Sequence, residues 1–442
     1  MHHKANNLGN LVSLETLNDI AKVWLTVMLF MSPYQAEIMR HIGSWNANLS
    51  RIVQLLDEVT IIVFFPLAMI LIYKERIRYR LFLLILLPLC LFGLAGLFSG
   101  IINSNSLLTT TYGSFYYIKY FFLIIIYAAF FRELNHIKKI FRYLLILAVI
   151  GGFVAFVQEL WSVVYYFSVK HNFPYKAITV INSVVSGITQ DNLQNNLKFR
   201  FGFLRTSSLM SHYNLLGFYS LMMLTIYTYS EKKLNPMYAF FLLAGIYCSM
   251  SRVAFAGLVI LGVIQIFKGR KWLILCLIIP IIILSYSFSS LSTMNLLNKN
   301  DQKSVTYRQY AREKALLVWK DHPYFGVGPG MFGGAIARRV HSQFYEEYNF
   351  SNRLLNEYSD LDQFWPQVFA ETGITGTILF AGLYLSLFVV IIKARRDTIF
   401  NDSKYYLAGL TILTGFIIMN TLASSLNIVS ILKASNYGTM RS

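Results

Sequence analysis

The sequence is poor in charged residues. Asp, Glu, Lys and Arg make up 14% of its 442 residues, whereas soluble domains carry roughly 25%. Hydrophobic residues make up 56% of the chain and aromatic residues 16%. These proportions exclude an ordinary soluble domain. They indicate a protein with many membrane-spanning helices, whose aromatic side chains suit the two membrane–water interfaces.

Cysteine is also scarce, and its positions exclude two kinds of site. Cys90, Cys248 and Cys276 each lie within an apolar run, so we predict small core residues without disulfide or metal roles. The sequence also lacks the spacing of a His/Asp/Glu metal site, a Walker loop, a nucleophile elbow and a Rossmann fingerprint. We therefore expect no metal and no cofactor, and nothing indicates a machine driven by nucleotide hydrolysis.

Long apolar runs occupy most of the chain. Crossing a bilayer takes roughly 20 apolar residues, and on that measure the chain contains about 11 or 12 spans. The sequence therefore predicts an all-α polytopic membrane protein. The runs lie near residues 20–33, 52–73, 81–102, 115–131, 140–165, 208–229, 236–250, 253–267, 271–290, 367–392 and 405–427.

Basic residues gather in short segments that fall on one side of the membrane if the runs alternate in direction. The positive-inside rule assigns that side, and with it the N-terminus, to the cytoplasm. Much of the net charge of +18 then serves to orient the protein in the membrane. We therefore expect no nucleic-acid partner. The N-terminal residues lack the pattern of a cleavable signal. The basic segments are 74–80, 132–142, 232–233, 268–271 and 393–396.

Two long polar segments remain on the opposite, extracytoplasmic side, where long loops escape the charge rule. The larger one is rich in aromatic residues, so we predict a folded, partly helical loop that packs on the membrane domain. The predicted segments are N-terminal helices 1–165, a first outer loop 166–207, central helices 208–290, a large catalytic outer loop 291–366 and C-terminal helices 367–442.

The large loop contains the most distinctive stretch of the chain, Tyr307–Phe332. Arg308 and Arg312 lie one helical turn apart and so share a helix face. A turn with glycine at positions 326, 328 and 330 follows, and glycine lets the backbone approach a ligand closely. Two guanidinium groups beside such a turn favour a phosphate or pyrophosphate site. The alternative is an amphipathic helix on lipid headgroups, followed by an ordinary turn.

Three more arginines are candidates for an anion site. Arg205, preceded by Arg200 in the first outer loop, stands where a helix begins, and helix N-termini favour anions. Arg252 lies where two apolar runs meet, and a charge flanked by membrane segments is by default a functional candidate. Their alternatives are snorkelling to the headgroups for Arg205 and a structural salt bridge for Arg252.

Carboxylates near the start of run 367–392 could act as a general base. Asp362 precedes that run and Glu371 opens it. Either could instead be an ordinary acid at the membrane interface. Lys119 and Glu159 are also charged residues within apolar runs, and for them we expect snorkelling or mutual pairing.

The order of these motifs resembles the O-antigen ligase/polymerase superfamily, bacterial membrane enzymes that join glycans carried on undecaprenyl pyrophosphate. The resemblance covers about residues 200–385 and depends on four motifs taken together. They are Arg308 followed by Asp321–Phe332 (DHPYFGVGPGMF), Ser251–Leu258, Arg205 with Asn214–Gly217, and Phe364 onward to Glu371–Gly376 (ETGITG).

Two adjacent positions depart from the ligase pattern. Ligases that transfer glycan to lipid A core have histidine and asparagine where this chain has Asp362 and Gln363. The resemblance therefore favours a polymerase, which transfers the growing glycan to the next lipid-linked repeat unit. A ligase that uses lipid A core or a protein as acceptor is the alternative. A flippase for lipid-linked sugars is a second one, although transporters usually show internal repeats.

The resemblance implies a metal-independent, inverting glycosyltransferase of the GT-C type in the bacterial inner membrane. Arg205, Arg252 and Arg308 would hold the donor pyrophosphate, with Arg312 or Arg200 in support. Asp362 would be the base, with Glu371 in reserve. Gly326, Gly328 and Gly330 would shape the loop over the substrate. The implied partners are the lipid-linked glycan, the bilayer, a chain-length regulator and a flippase.

Overall fold

The computed structural model describes the membrane helices and much of the large loop. The described residues are 14–74, 76–131, 134–169, 199–200, 203–204, 206–210, 212–231, 234–267, 299–348, 350 and 364–396. The helices are α1 Leu14–Met31, α2 Gln35–Trp45, α3 Ala47–Lys74, α4 Arg76–Ile102, α5 Leu107–Phe130, α6 Leu134–Val169, α7 Tyr213–Ser230, α8 Pro236–Ser249, α9 Arg252–Phe267, α10 Lys299–Asp321, α11 Ala335–Arg339, α12 Phe344–Glu347 and α13 Phe364–Arg396. The strands β1 Phe199–Arg200 and β2 Phe203–Leu204 form a short antiparallel pair.

The predicted all-α membrane architecture is confirmed. Five of the described helices are long and apolar enough to cross a bilayer, and α8 and α9 carry two shorter apolar segments. The predicted runs 271–290 and 405–427 lie outside the described residues. The five long segments are Ala47–Lys74, Phe82–Ile102, Leu107–Phe130, Asn135–Leu160 and Phe364–Lys393.

The membrane helices pack around two large apolar cores. The first joins α1, α3, α4, α5 and α13 around aromatic side chains such as Phe92, Phe121 and Phe380. The second joins α6, α7, α8 and α9 around residues such as Leu224 and Phe255. α13 thus returns from the far end of the described chain to pack against the N-terminal helices, which places the large loop next to α4 and α5.

The large loop is packed, as its aromatic content predicts. Ala311, Ala315 and Val318 on one face of α10 are buried against Phe332 and Phe344 of the following segment. Alanine and valine on this face leave room for the rings, and the opposite face is exposed and mixes the charged Glu313 and Lys320 with Leu316 and Leu317. The loop therefore has an apolar core of its own beside the membrane helices.

Lys119 overturns the expectation of snorkelling or pairing with Glu159. Its side chain is fully buried between α3 and α5, with its ammonium group 3.6 Å from Asp57 and 3.4 Å from Glu58. The rings of Tyr116 and Tyr120 lie within 5.2 Å of the same ammonium group. The paired charges and the aromatic faces offset the cost of burying an ammonium group. These acids stand on α3, far from Lys119 in sequence, so no local pattern indicates the pairing.

Candidate functional site

The candidate site is built around a break in α13. At Gly373 the backbone leaves helical geometry, with φ 62° and ψ −164°. In an unbroken helix, the N–H groups of residues 374 and 375 would donate to the carbonyls of residues 370 and 371. The dihedral angles of Gly373 break this regular pairing. The chain therefore needs other partners for two donors and two acceptors.

Residues 323–334, here called the glycine loop, supply all four partners. The loop donates two N–H groups to the freed helix carbonyls and accepts from the two freed helix N–H groups. The loop and the broken helix thus form one hydrogen-bonded unit, the backbone clamp. Its bonds run from Val327 N–H to Ala370 O (3.0 Å), Gly328 N–H to Glu371 O (2.9 Å), Ile374 N–H to Pro323 O (2.9 Å) and Thr375 N–H to Tyr324 O (3.1 Å).

Glycine is required on both sides of the backbone clamp. Gly326 has φ 67°, and a Cβ there would overlap the carbonyl carbon of Glu371 and the nitrogen of Thr372. A Cβ on Gly373 would lie 2.5 Å from the carbonyl of Tyr324. The loop glycines at positions 328 and 330 also have positive φ, 103° and 82°. Glycine residues in two separate motifs are thus explained by one close contact between backbones.

A polar turn between α4 and α5 holds the opposite edge of the glycine loop. Asn103 donates its side-chain amide to the carbonyl of Gly326 at 2.9 Å, and Asn105 donates to the carbonyl of Val327 at 2.7 Å. Ser99 of α4 donates to the same Gly326 carbonyl at 3.3 Å. These residues were not predicted. The two asparagines belong to the polar run 103–106 between two apolar helices, which is typical of any turn, and Ser99 has no distinguishing pattern around it.

Glu371 lies inside this assembly, closed off from solvent. Its side chain is fully buried. One carboxylate oxygen accepts a 2.6 Å hydrogen bond from the Tyr117 hydroxyl of α5. The other accepts from the Phe332 N–H at 2.9 Å and, more weakly, from the Gln367 amide at 3.5 Å. A single carboxylate therefore connects α5, α13 and the glycine loop.

The glycine loop also fixes the end of α10, the helix that carries Arg308 and Arg312. α10 ends at Asp321, two residues before the loop begins, and its Trp319 packs edge-on against Phe369 of α13 at a centroid distance of 6.2 Å. In the sequence, Asp362 stands two residues before Phe364, the first residue of α13. The backbone clamp therefore anchors the arginine-bearing helix beside the start of α13.

A second set of hydrogen bonds connects α10 to Tyr348, which follows α12 in the large loop. Lys314 donates to the carbonyl of Tyr348 at 2.6 Å, and the Tyr348 hydroxyl donates to Asp321 at 2.8 Å. Burial raises the pKa of Tyr348, and the hydrogen bond to Asp321 raises it further. The hydroxyl thus remains a donor, and α10 is held at both its middle and its end.

The predicted arginines are placed only in part. Arg308 lies within α10, Arg252 is the first residue of α9 and Arg200 lies in β1, but their side chains are outside the described part of the structure. Arg312 is described and is exposed to solvent. Arg205 and Asp362 lie outside the described residues. The convergence of the arginines on one ligand therefore stays a prediction.

The structure describes the start of α7, close in sequence to Arg205, and the arrangement of possible metal ligands. The imidazole of His212 caps the start of α7 by accepting from the Asn214 N–H at 3.1 Å. Among the described residues, no three His, Cys, Asp or Glu side chains come together as a metal site requires. The chemistry that the described part of the site offers is hydrogen bonding by the glycine loop and by the side chains packed around it.

Comparison with known proteins agrees with the motif pattern. Residues 237–381 match a family model described as O-Antigen ligase. No curated protein matches the chain. The matched segment runs from α8 through the large loop into α13, so it contains Arg252, Arg308, the glycine loop and Glu371. Over these residues the chain is similar to the O-antigen ligase family, which confirms its resemblance to the O-antigen ligase/polymerase superfamily.

Proposed function

We propose that the protein polymerises oligosaccharide repeat units carried on undecaprenyl pyrophosphate, at the outer face of the bacterial inner membrane. The product would be O-antigen, capsule or exopolysaccharide. The observation that supports this most directly is the family match over residues 237–381. The matched segment carries both the arginine-bearing helix α10 and the glycine loop that anchors it.

The proposed reaction is a single inverting displacement. Asp362 removes the proton from an acceptor sugar hydroxyl, and the oxygen attacks the anomeric carbon of the donor glycan. The bond from that carbon to the pyrophosphate breaks, and the leaving pyrophosphate takes the electron pair. Charge builds up on the leaving group, and fixed cations stabilise such charge best where water is excluded. We assign that task to Arg205, Arg252 and Arg308, supported by Arg312 or Arg200.

A polymerase and a ligase differ only in the acceptor. Asp362 and Gln363 replace the histidine and asparagine of the ligase pattern, which favours the polymerase. The description of the matching family favours the ligase. The two are separated by supplying purified protein with the lipid-linked repeat unit alone, or with lipid A core as well. A ladder of multiples from the repeat unit alone supports polymerisation, whereas transfer only after core is added supports ligation.

Arg308 should be essential in this assay. Arg308→Ala should lower the rate about 100-fold or more, as for loss of one group that stabilises charge in the transition state. Arg308→Lys should still be impaired, because an ammonium group cannot replace the bidentate fork of a guanidinium. Lys320→Ala is the matched control, since Lys320 is an exposed cation on the same helix. Normal ladders from both Arg308 variants, at normal protein levels, would remove this residue from the mechanism.

Asp362→Asn should lower turnover about 100- to 10,000-fold, the usual contribution of a general base. Asp360→Asn, two residues earlier in the same segment, provides the control and should keep its activity. The measurement is the initial rate of ladder formation by the purified variants. Unchanged turnover of Asp362→Asn would leave the acceptor proton to another group.

A further inference from the structure

We propose that Glu371 is a positioning residue of the glycosyl transfer: it holds the glycine loop to α5 and α13 and takes no proton from the acceptor. This inference rests on the proposed function and assigns a task to a motif residue that could otherwise be read as a base. It follows from three observations, which are the burial of Glu371, the partners of its two oxygens and the place of the glycine loop beside α10.

Glu371 has no access to an acceptor sugar in this structure. Its side chain is fully buried, and a base must come within hydrogen-bonding distance of the proton that it removes. Both oxygens already accept hydrogen bonds, one from Tyr117 and the other from the N–H of Phe332. Acting as a base would require breaking these bonds and opening the contact between α5 and the glycine loop.

The same bonds make Glu371 a link between separate elements. Tyr117 stands in the middle of α5, Phe332 near the end of the glycine loop and Glu371 in α13. The backbone carbonyl of Glu371 also accepts from Gly328 in the backbone clamp. The side chain of Glu371 therefore holds the glycine loop near its end, at Phe332. The backbone of Glu371 holds the middle of the same loop, at Gly328.

The loop in turn sets the position of α10. Only one residue separates the end of this helix from Pro323, whose carbonyl takes part in the backbone clamp. If the glycine loop loosens, α10 loses one of its two anchors at this end, and Arg308 moves relative to Asp362. A displacement of about 1 Å can cost on the order of 100-fold in rate. Glu371 would thus act on the reaction through α10 without touching substrate.

Glutamine separates the two possible roles of this residue. The carbonyl oxygen of a glutamine can still accept from the Phe332 N–H. Its NH₂ group can donate to the Tyr117 oxygen, because a phenol both donates and accepts. Glutamine therefore keeps both links but cannot act as a base. Alanine removes both links and leaves the Phe332 N–H and the Tyr117 hydroxyl buried without this partner.

The test compares Glu371→Gln, Glu371→Ala and the wild type in the ladder assay across pH. A positioning role predicts that Glu371→Gln keeps the order of magnitude of the wild-type rate and the same pH–rate profile. Glu371→Ala should be about 100-fold slower. Glu346→Ala, at an exposed position of α12, is the control. Loss of activity in well-folded Glu371→Gln, or loss of the acid limb of its pH profile, would overturn the proposal.

Trypsin cleavage after Arg338 and Arg339, in the short helix α11 that follows the glycine loop, reports how firmly the loop is held. This measurement needs no substrate. Glu371→Ala should be cut about tenfold faster than wild type, because buried hydrogen bonds are lost, while Glu371→Gln should be cut like the wild type. The cleavage measurement distinguishes failure of the proposed function from failure of the proposed role of Glu371. If wild-type protein makes no ladder, the proposed function fails, and cleavage alone judges the link. Equal cleavage of Glu371→Ala and wild type would show that Glu371 does not hold the loop.

Discussion

Gly373→Ala is expected to detach the glycine loop and to destabilise the protein by about 3 kcal/mol or more. Gly373 adopts φ 62° and ψ −164°, a region that is open essentially to glycine alone. A Cβ at this position would also lie 2.5 Å from the carbonyl carbon and oxygen of Tyr324. That contact involves backbone, which cannot rotate away. Relief requires the loop to move, and the four bonds of the backbone clamp would be lost.

The measurement is the apparent unfolding midpoint of purified protein in detergent, together with ladder formation. Gly382→Ala is the matched control on the same helix, because nothing lies within 4 Å of a Cβ there. In a helix interior that change should be neutral or stabilising by about 0.4–1 kcal/mol. If the midpoint of Gly373→Ala matched that of Gly382→Ala, the clamp would not contribute to stability.

Lys119→Met is expected to lower the stability of the protein by a comparable amount, because Lys119 is buried beside the first apolar core. The side chain is fully buried and lies within 3.6 Å of both Asp57 and Glu58. Removing one partner of a buried ion pair costs about 3–5 kcal/mol, because a charge is left in a medium of low dielectric constant. We expect a much lower unfolding midpoint and a lower yield of folded protein in the membrane.

A rescue experiment separates the loss of charge pairing from the loss of packing. The triple variant Lys119→Met, Asp57→Asn, Glu58→Gln removes the uncompensated carboxylates and should recover part of the lost stability. Lys22→Met is the control, since Lys22 pairs with Asp19, whose side chain is 75% exposed, and exposed pairs contribute about 0–1 kcal/mol. If Lys119→Met were as mild as Lys22→Met, the buried cluster would not stabilise the helix packing.

The sequence predicts much of the fold because the membrane constrains it strongly. A helix that crosses the bilayer pairs its backbone N–H and C=O groups with one another and carries apolar side chains over about 20 residues. For this reason α3, α4, α5 and α6 are recognisable without tertiary information. The aromatic residues of the large loop likewise indicate a packed segment. Phe332 and Phe344 are indeed buried in its core.

The sequence predicted the contacts of the site less well. Glu371 belongs to a recognisable motif, but its place in the chain suggested a carboxylate at the membrane surface. The structure buries it against Tyr117, 254 residues earlier in the chain. Asn105 contacts the carbonyl of Val327 across 222 residues. Neither partner has a local pattern that distinguishes it from any polar residue in an apolar helix or turn.

The motif order of the sequence resembles that of the O-antigen ligase/polymerase superfamily, and the sequence by itself determined the membrane class and the helical architecture. These follow from composition, apolar length and residue spacing, which are properties of neighbouring residues. Only the tertiary structure decided that two glycine motifs hold each other, that α13 breaks at Gly373 and that Glu371 connects three elements. The reason is physical: the backbone clamp is made of peptide groups, which every residue carries, so only the folded chain shows which of them meet.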